Sequence, residues 1–392
     1  MISVQQAKQI IQGSALAPKI VKLPLLEAFG FTLAHDIIAK VDIPNFAQSS
    51  MDGYAVKFAD KDKQLAIIGE MAAGSNIHLT IEAGEATRIF TGAPLPEGAD
   101  TVIMQEKAVV EDNTLVLQDD NLSLGLNVRP KGAEVKSGEL AMTKGTCLSA
   151  AALGFLAGIG CTHANIYAPP KVAIILTGNE LQEPGKALEF GQVYEANSVI
   201  LTAALNKAGV TDISILQSED NPETLAAVLQ QALECNDVVL LNGGVSVGDY
   251  DYVVGAANAC GIEQKFHKIK QKPGKPLFFG TKAGKLVFGL PGNPSSGLTC
   301  FYEYVLPALE TAMHKQASVV VTSVTATHNY TKPAGLTHFL KAFYTEGTVT
   351  PLHAQESFRL HSFAQANCFI VLPEESTACK AGESVEVHLL PL

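Results

Sequence analysis

Seven cysteines, at positions 147, 161, 235, 260, 300, 368 and 379, include no C-x-x-C pair, and the ten histidines add no zinc-ligand spacing. That excludes a zinc ribbon and a disulfide framework, and predicts reduced thiols held mostly in cores. Charge is scarce and one-sided: 17% of residues are charged and the net charge is −11. Phosphate backbones and anionic membranes need basic surface, so general binding to either is not expected, although a local basic pocket for a small anion is. The most apolar run, CLSAAALGFLAGIGC, falls short of the ~20 residues a bilayer requires and reads as a buried helix. The opening MISVQQAKQI lacks the basic flank and apolar stretch of a signal peptide, which predicts a cytoplasmic protein. Neither G-x-x-x-x-G-K-[ST] nor a G-x-G-x-x-G following a strand occurs, so a P-loop ATPase and a dinucleotide dehydrogenase are disfavoured.

What remains is 392 residues, 47% of them apolar, enough for two to four domains with well-packed cores. VQQAKQIIQGSA predicts a helix, with a second helical piece around PLLEAFGFTLAHDI. From PNFAQSSMDGYAV the pattern changes to short β-like runs (LAIIGEM, EATRIFTG, TVIMQEKAVV, TLVLQ) punctuated by Gly, Pro, Asp and Asn. Helical character returns with SAAALGFLAGIG. Strands and helices then alternate. KVAIIL, DISILQ, DVVLLN, KFHKIK and KLVFGL are strands. NSVILTAALNKAG is a helix opened by Asn197 or Ser198 and closed by Gly209, and NPETLAAVLQQALEC is a helix capped by Asn221 with Pro222 at its first position. DYDYVVGAANACG is a further helix and PSSGLTCFYEYVLPALETAM a long closing one. Continuous apolar strands alternating with helices mean a parallel sheet covered on both faces. Beyond residue 316 alternation without helices predicts a small β-barrel or sandwich. The expected fold is thus a multidomain α/β protein: a discontinuous helical domain (1–42 and 139–167), a β-rich insert (43–138), a parallel α/β domain (168–315) and a C-terminal small β-barrel (316–392).

In an open parallel sheet, ligands bind beyond the carboxyl ends of the strands. Three loops rich in Gly, Ser, Asn and Pro follow strand ends here: TGNEL, NGGVSVGDYD and GLPGNPSS. The run Gly243-Gly244-Val245-Ser246-Val247-Gly248 suits a backbone cradle for an anion. In the third loop Asn293 or Ser295 is placed to cap the closing helix. Lys268, Lys270 and Lys272 at spacing two predict one face of a strand, either a solvated edge or an anion site; Lys272 and Lys275, set among Pro273, Gly274 and Pro276, favour anion binding. Asp249 and Asp251 follow the Gly-rich run directly, and Glu180 and Glu195 follow the first strand of the sheet. Asp249 also suits a helix cap. Carboxylates beside an anion cradle repel the ligand unless a hard cation lies between, as Mg²⁺ does in phosphoryl-transfer sites. The combination predicts a metal-bridged phosphate ester. In the β-rich insert, Ser49, Ser50, Asp52, Thr91 and Glu106 form a polar set amid turn formers.

Taken in order, SSMDGYAV, IFTGAPLPEGADTVIMQE, NVRPKGAEVKSGE, ILTGNEL, NGGVSVGDYDYV, KPGKP and GLPGNPSS resemble the molybdopterin molybdenumtransferase family over nearly the whole chain, including the E domain of gephyrin. The resemblance implies a four-domain homodimer with a helical dimerisation or linker domain and a molybdopterin-binding α/β domain. It implies an active site between that domain and the β-rich insert of the facing subunit. The implied reaction converts adenylylated molybdopterin and molybdate to molybdenum cofactor and AMP, assisted by Mg²⁺. On the same grounds Gly243, Gly244, Ser246, Gly248, Asp249 and Asn197, with Pro291, Gly292, Asn293, Pro294 and Ser295, hold pterin phosphate or AMP. Asp251, Glu195 and Glu180 hold the cation, Lys272 and Lys275 the molybdate or phosphate oxygens, and Asp52 with Thr91 act from the facing subunit. The adenylylating enzyme and client molybdoenzymes are implied partners. Departures from the family pattern are Ser50, where Ala is usual, Glu195, where Asp is more frequent, and Asn242, where Ser or Thr is usual. Open alternatives are a non-catalytic pterin-binding scaffold or carrier, a tungstate-specific paralogue, and an unrelated nucleotide hydrolase sharing the α/β module.

Overall fold

Alternate residues of three neighbouring strands feed two different cores, as a sheet covered on both faces requires. In the computed structural model, which describes residues 1–244 and 252–391, these strands are β1 (Val172–Thr177), β3 (Val238–Asn242) and β6 (Lys285–Leu290). Between and around them in the chain lie α1 (Asn197–Ala208), β2 (Ile213–Ser218), α2 (Pro222–Cys235), α3 (Tyr252–Ala259), β4 (Glu263–His267), β5 (Phe278–Lys282) and α4 (Pro294–Cys300). Ile174, Leu176, Leu240, Phe288 and Leu290 pack with α1, the N-terminal helix Val4–Gly13 and the closing helix; Ala173, Ile175, Val239, Leu241 and Val287 pack with α2 and α3. The strand order is β2-β1-β3-β6-β5-β4. The core of the sheet is parallel, from β2 through β6, while β5 runs antiparallel to β6 and β4.

Strand β5 was not anticipated from sequence. It forms a hairpin with β6 through Ala283 (φ 49°) and Gly284 (φ 78°), the paired positive φ that a two-residue turn of this hand needs. The caps of α2 and α1 match expectation: Asn221 accepts from the Glu223 and Thr224 N–H groups, and Gly209 ends α1 at φ 90°. The expected helix around PLLEAFGFTLAHDI is absent. Ile20–Pro24 is instead a strand paired antiparallel with His163–Tyr167, leaving only a 3₁₀ turn, Leu25–Ala28, before Gly30 turns left-handed at φ 76°. The closing helix passes through a π-helical turn, Phe301–Val305, and continues as Leu306–Ala312.

The chain divides into two compact units, residues 1–34, 147–149 and 163–392, and residues 35–146 with 150–162. The first also contains the C-terminal barrel, in which Val320–Ala326, Thr348–Pro351, Thr337–Thr345, Cys368–Leu372 and Ser384–Leu389 close into a ring of five strands. One short helix, Leu360–Phe363, interrupts a segment expected to be wholly β. The second unit is built on a six-stranded sheet, in spatial order Thr101–Met104, Gly53–Val56, Glu85–Ile89, Leu65–Met71, Thr114–Leu117, Ala108–Glu111. Ala150–Gly158 forms the predicted apolar helix there. Among the described residues no helix is long and apolar enough to cross a membrane.

Candidate active site at the sheet's switch point

From β1 the chain crosses to β2 on one side and then returns to β3 on the other, so the gap beyond the carboxyl ends of β1 and β3 is a topological switch point. Leu176, Asn242 and Leu290 stand level across β1, β3 and β6. Beyond them opens a cavity of about 580 Å³ whose walls include Thr177, Glu180, Tyr194, Asn197, Gly243 and Gly244, with Asp220, Tyr252 and Gly292–Pro294 completing them. All three Gly-rich loops named from sequence therefore meet here.

Backbone proximity explains their glycines. Gly243 (φ 94°) and Gly244 (φ 64°) are left-handed, and a Cβ on Gly243 would lie 2.5 Å from the Thr177 carbonyl oxygen. A Cβ on Gly292 would lie 3.4 Å from Gly243 Cα, so the second and third loops touch main chain to main chain. Two amides fasten the third loop: Asn242 Nδ2 donates to the Pro291 carbonyl at 3.3 Å and Asn197 Nδ2 to the Gly292 carbonyl at 2.9 Å. Neither Asn293 nor Ser295 caps α4 with its side chain, since Asn293 Nδ2 donates instead to Ser357 Oγ at 3.0 Å. Among the described residues, Thr177 Oγ1 and Ser295 Oγ are buried with no hydrogen-bond partner. A buried hydroxyl without a partner costs about 1–3 kcal/mol, so that of Thr177, which lines the cavity, calls for explanation. Thr177 was not singled out from sequence, although it stands inside the quoted ILTGNEL.

The second unit carries its own polar cluster. Asp52 Oδ1 accepts from both the Thr91 N–H and the Thr91 hydroxyl, each at 2.8 Å. Those bonds, the backbone one foremost, hold the Asp52 carboxyl below its ordinary range, with Arg88 adding a smaller pull in the same direction. Arg88, which sequence reading missed, donates to the Gly53 carbonyl and to Gln105 Oε1, and its guanidinium lies over Tyr54 and Phe90. Glu106 is lowered too, chiefly by Gln105. Ser49 and Ser50 are occupied locally, on the Met51 and Asn127 carbonyls.

Three family models cover most of the chain: the MoeA N-terminal region (domain I and II) at residues 2–160, a probable molybdopterin binding domain at 173–311, and the MoeA C-terminal region (domain IV) at 323–390. The molybdopterin molybdenumtransferase of Haemophilus influenzae is 33% identical over all of both chains, and that of Staphylococcus epidermidis 33% identical over 99% of this chain and 95% of its own. The chain belongs to the molybdopterin molybdenumtransferase family. Two solved structures of MoeA proteins from Pyrococcus horikoshii superpose with TM-scores of 0.87 and 0.82, at 31% and 28% identity, each covering 99% of this chain and 99% and 100% of their own.

Within this family member the expected site residues divide. Glu180, Asn197, Gly243, Gly244, Gly292, Asn293 and Pro294 line one cavity. Ser246, Gly248, Asp249 and Asp251 lie outside the described residues. Glu195 is buried, and its carboxylate accepts from the Ser198 N–H at 2.8 Å and from the Ser198 hydroxyl, so it caps the first turn of α1, the role assigned from sequence to Asn197 or Ser198. Among the described residues no cluster of three acidic, His or Cys side chains forms a metal site. Mg²⁺ needs only one or two protein carboxylates beside phosphate oxygens, and Glu180 and Asp220 in the cavity wall supply hard donors of that kind.

The lysines do not share a strand face. Strand β4 ends at His267, Lys268 turns to φ 122°, Lys270 pairs with Glu374 at 2.6 Å, and Lys272 belongs to a two-residue strand alongside Thr337–His338. Lys272 and Lys275 are exposed and are not among the cavity-lining residues. Lys272 acts on His338, which burial first, then Lys332 and Lys272, lower from 6.5 to about 4. Between those values the unfolded chain holds a proton that the folded chain refuses, so stability falls as pH drops from 6.5 towards 4. The loss is expected to be on the order of 2 kcal/mol. Urea unfolding at pH 7 and pH 4.5 should show His338→Phe losing less across that interval than the parent chain. Equal losses would remove His338 from the account.

Proposed function

We propose that this protein inserts molybdate into molybdopterin, starting from the adenylylated form and releasing AMP with the help of Mg²⁺. The observation that carries the proposal is the cavity at the switch point. There left-handed Gly243 and Gly244, the fastened Gly292–Pro294 loop and the carboxylate of Glu180 meet. Main chain without side chains lets phosphate oxygens approach closely, and unmatched hydroxyls such as that of Thr177 add polar character. Glu180 and Asp251 would hold Mg²⁺, which when bound neutralises charge on the phosphoanhydride and resolves the conflict between an anion cradle and its acidic neighbours. The chain's own part is to seat the phosphates on the glycine turn and fix the third loop through Asn197 and Asn242. Lys272 and Lys275 bring positive charge to molybdate or phosphate oxygens, and Asp52, oriented by its two bonds from Thr91, acts from the facing subunit of a homodimer. A four-domain division at 1–42 with 139–167, 43–138, 168–315 and 316–392, and a cytoplasmic location, belong to the same reading.

The test is AMP release from adenylylated molybdopterin supplied with molybdate and Mg²⁺. Asp251→Ala is expected to slow it about 100-fold or more, the scale of losing one focused electrostatic contribution. Undiminished turnover rejects the metal role, and no turnover by the parent chain turns the reading towards a pterin carrier.

A further inference from the structure

The cavity has a polar floor and an aromatic rim. Thr177 and Asn242, at the strand ends, are 5% and 3% exposed, whereas Val193 and Tyr194 in the same wall are 50% and 48% exposed. Val193–Tyr194 is one leg of a loop whose other leg, Leu181–Gln182, pairs with it in parallel, further tied by Val193 N–H to Glu180 O at 2.9 Å and Glu195 N–H to Gln182 O at 2.8 Å. The base of the loop is therefore fixed to the site. Tyr194 Oη donates to the Lys186 carbonyl at 2.8 Å. This bond engages the hydroxyl within the loop while the half-exposed ring borders the cavity. At the loop's tip, a turn closed by Gln192 N–H to Glu189 O at 3.1 Å, with Gly191 at φ 88°, presents Phe190 wholly to solvent, at 108% exposure. Phe190 and Val193 are three positions apart, so their Cα atoms lie within roughly 11 Å. A fully hydrated phenyl ring three positions from a cavity-lining residue is an unusual use of an apolar side chain.

Resting on the reading above, we infer that Tyr194, extended by Phe190, is a positioning residue that stacks the flat heterocycle of the ligand, purine or pterin, while its phosphates occupy the glycine turn. Stacking asks only for a π-face, so one rim accommodates either ring. The chain contains no tryptophan, and Phe190→Trp therefore installs a single reporter. AMP is expected to shift its emission and inorganic phosphate to leave it unchanged. By calorimetry, Tyr194→Ala should weaken AMP or free pterin about tenfold, and Tyr194→Phe, which keeps the ring, should stay within about twofold of the parent. The AMP and pterin arms decide which heterocycle the rim holds. If the parent binds AMP or pterin and Tyr194→Ala binds it equally well, the stacking role is overturned while the site reading stands. If the parent binds neither, that reading falls and this inference with it. An emission shift that follows protein concentration in place of ligand would assign Phe190 to a second copy of the chain and overturn its share.

Discussion

Gly243→Ala is expected to weaken nucleotide binding about 100-fold while the protein remains folded. The added methyl would sit 2.5 Å from the Thr177 carbonyl oxygen and 2.7 Å from its hydroxyl, both belonging to the end of a fully buried strand that cannot retreat. It would also demand φ 94° of a residue with a Cβ. Such backbone conformations cost about 1–3 kcal/mol even where space is free. The strain is relieved most easily by moving residue 243 away from β1, which in the order β1-β3-β6 drives it towards Gly292, whose main chain it already nearly touches. The second and third loops would then have to shift together, displacing the main chain that lines the cavity. A loss of about 100-fold in AMP affinity follows if two or more backbone contacts to phosphate are displaced. Calorimetry with AMP, beside thermal unfolding, separates this from general destabilisation: the melting temperature should fall by only a few degrees, because the clash lies beyond the strand end. Retained affinity would remove this turn from the binding site.

Which parts of this were legible in the chain follows from what each signal encodes. Continuous apolar runs such as KVAIIL and DVVLL identify doubly covered strands because every residue of β1 and β3 is buried, and that requirement leaves no polar alternation. Asn221-Pro222 and Gly209 identify helix ends because their backbone chemistry is local. The lysines were misplaced for the converse reason. Period-two spacing fixes a face only while the strand continues, and it stops before Lys268. Glu195 is ambiguous by nature: a carboxylate at a helix start serves a neighbouring N–H as readily as a cation, and here Ser198 takes both oxygens. Asn242 reads from sequence only as a departure from the family pattern; its amide holds the Pro291 carbonyl, a contact 49 residues away in sequence that no local pattern announces. Asp52 and Thr91 read as members of one polar set, and the pairing of Gly53 with Ile89 is what brings them into one hydrogen-bonded unit.

That pairing makes Gly53→Ala the most damaging single change expected in the second unit. Gly53 opens a strand flanked on both sides, opposite Ile89 in one neighbour and Met104 in the other. A Cβ there would fall 1.8 Å from the Ile103 carbonyl oxygen and 2.8 Å from its carbon, far inside contact distance and against main chain, which cannot rotate out of the way. The neighbouring strand Thr101–Met104 is itself buried through Ile103, so separating the two strands opens the core around Ala55, Ile89 and Val102. Overpacking of this kind costs about 3 kcal/mol or more. The same displacement moves Asp52, the preceding residue, away from Thr91, and with it goes the pair of bonds that orients the carboxylate and lowers its pKa. Two consequences are separable. Limited proteolysis should cut within residues 35–146 at temperatures where the parent resists, and turnover should fall even where the protein is still folded. A conservative comparison, Asp52→Asn, should reproduce the loss of turnover without the proteolytic sensitivity, because Thr91 can still donate to an amide oxygen. If Gly53→Ala proves as stable as the parent, the close approach at Ile103 is not a feature of this sheet.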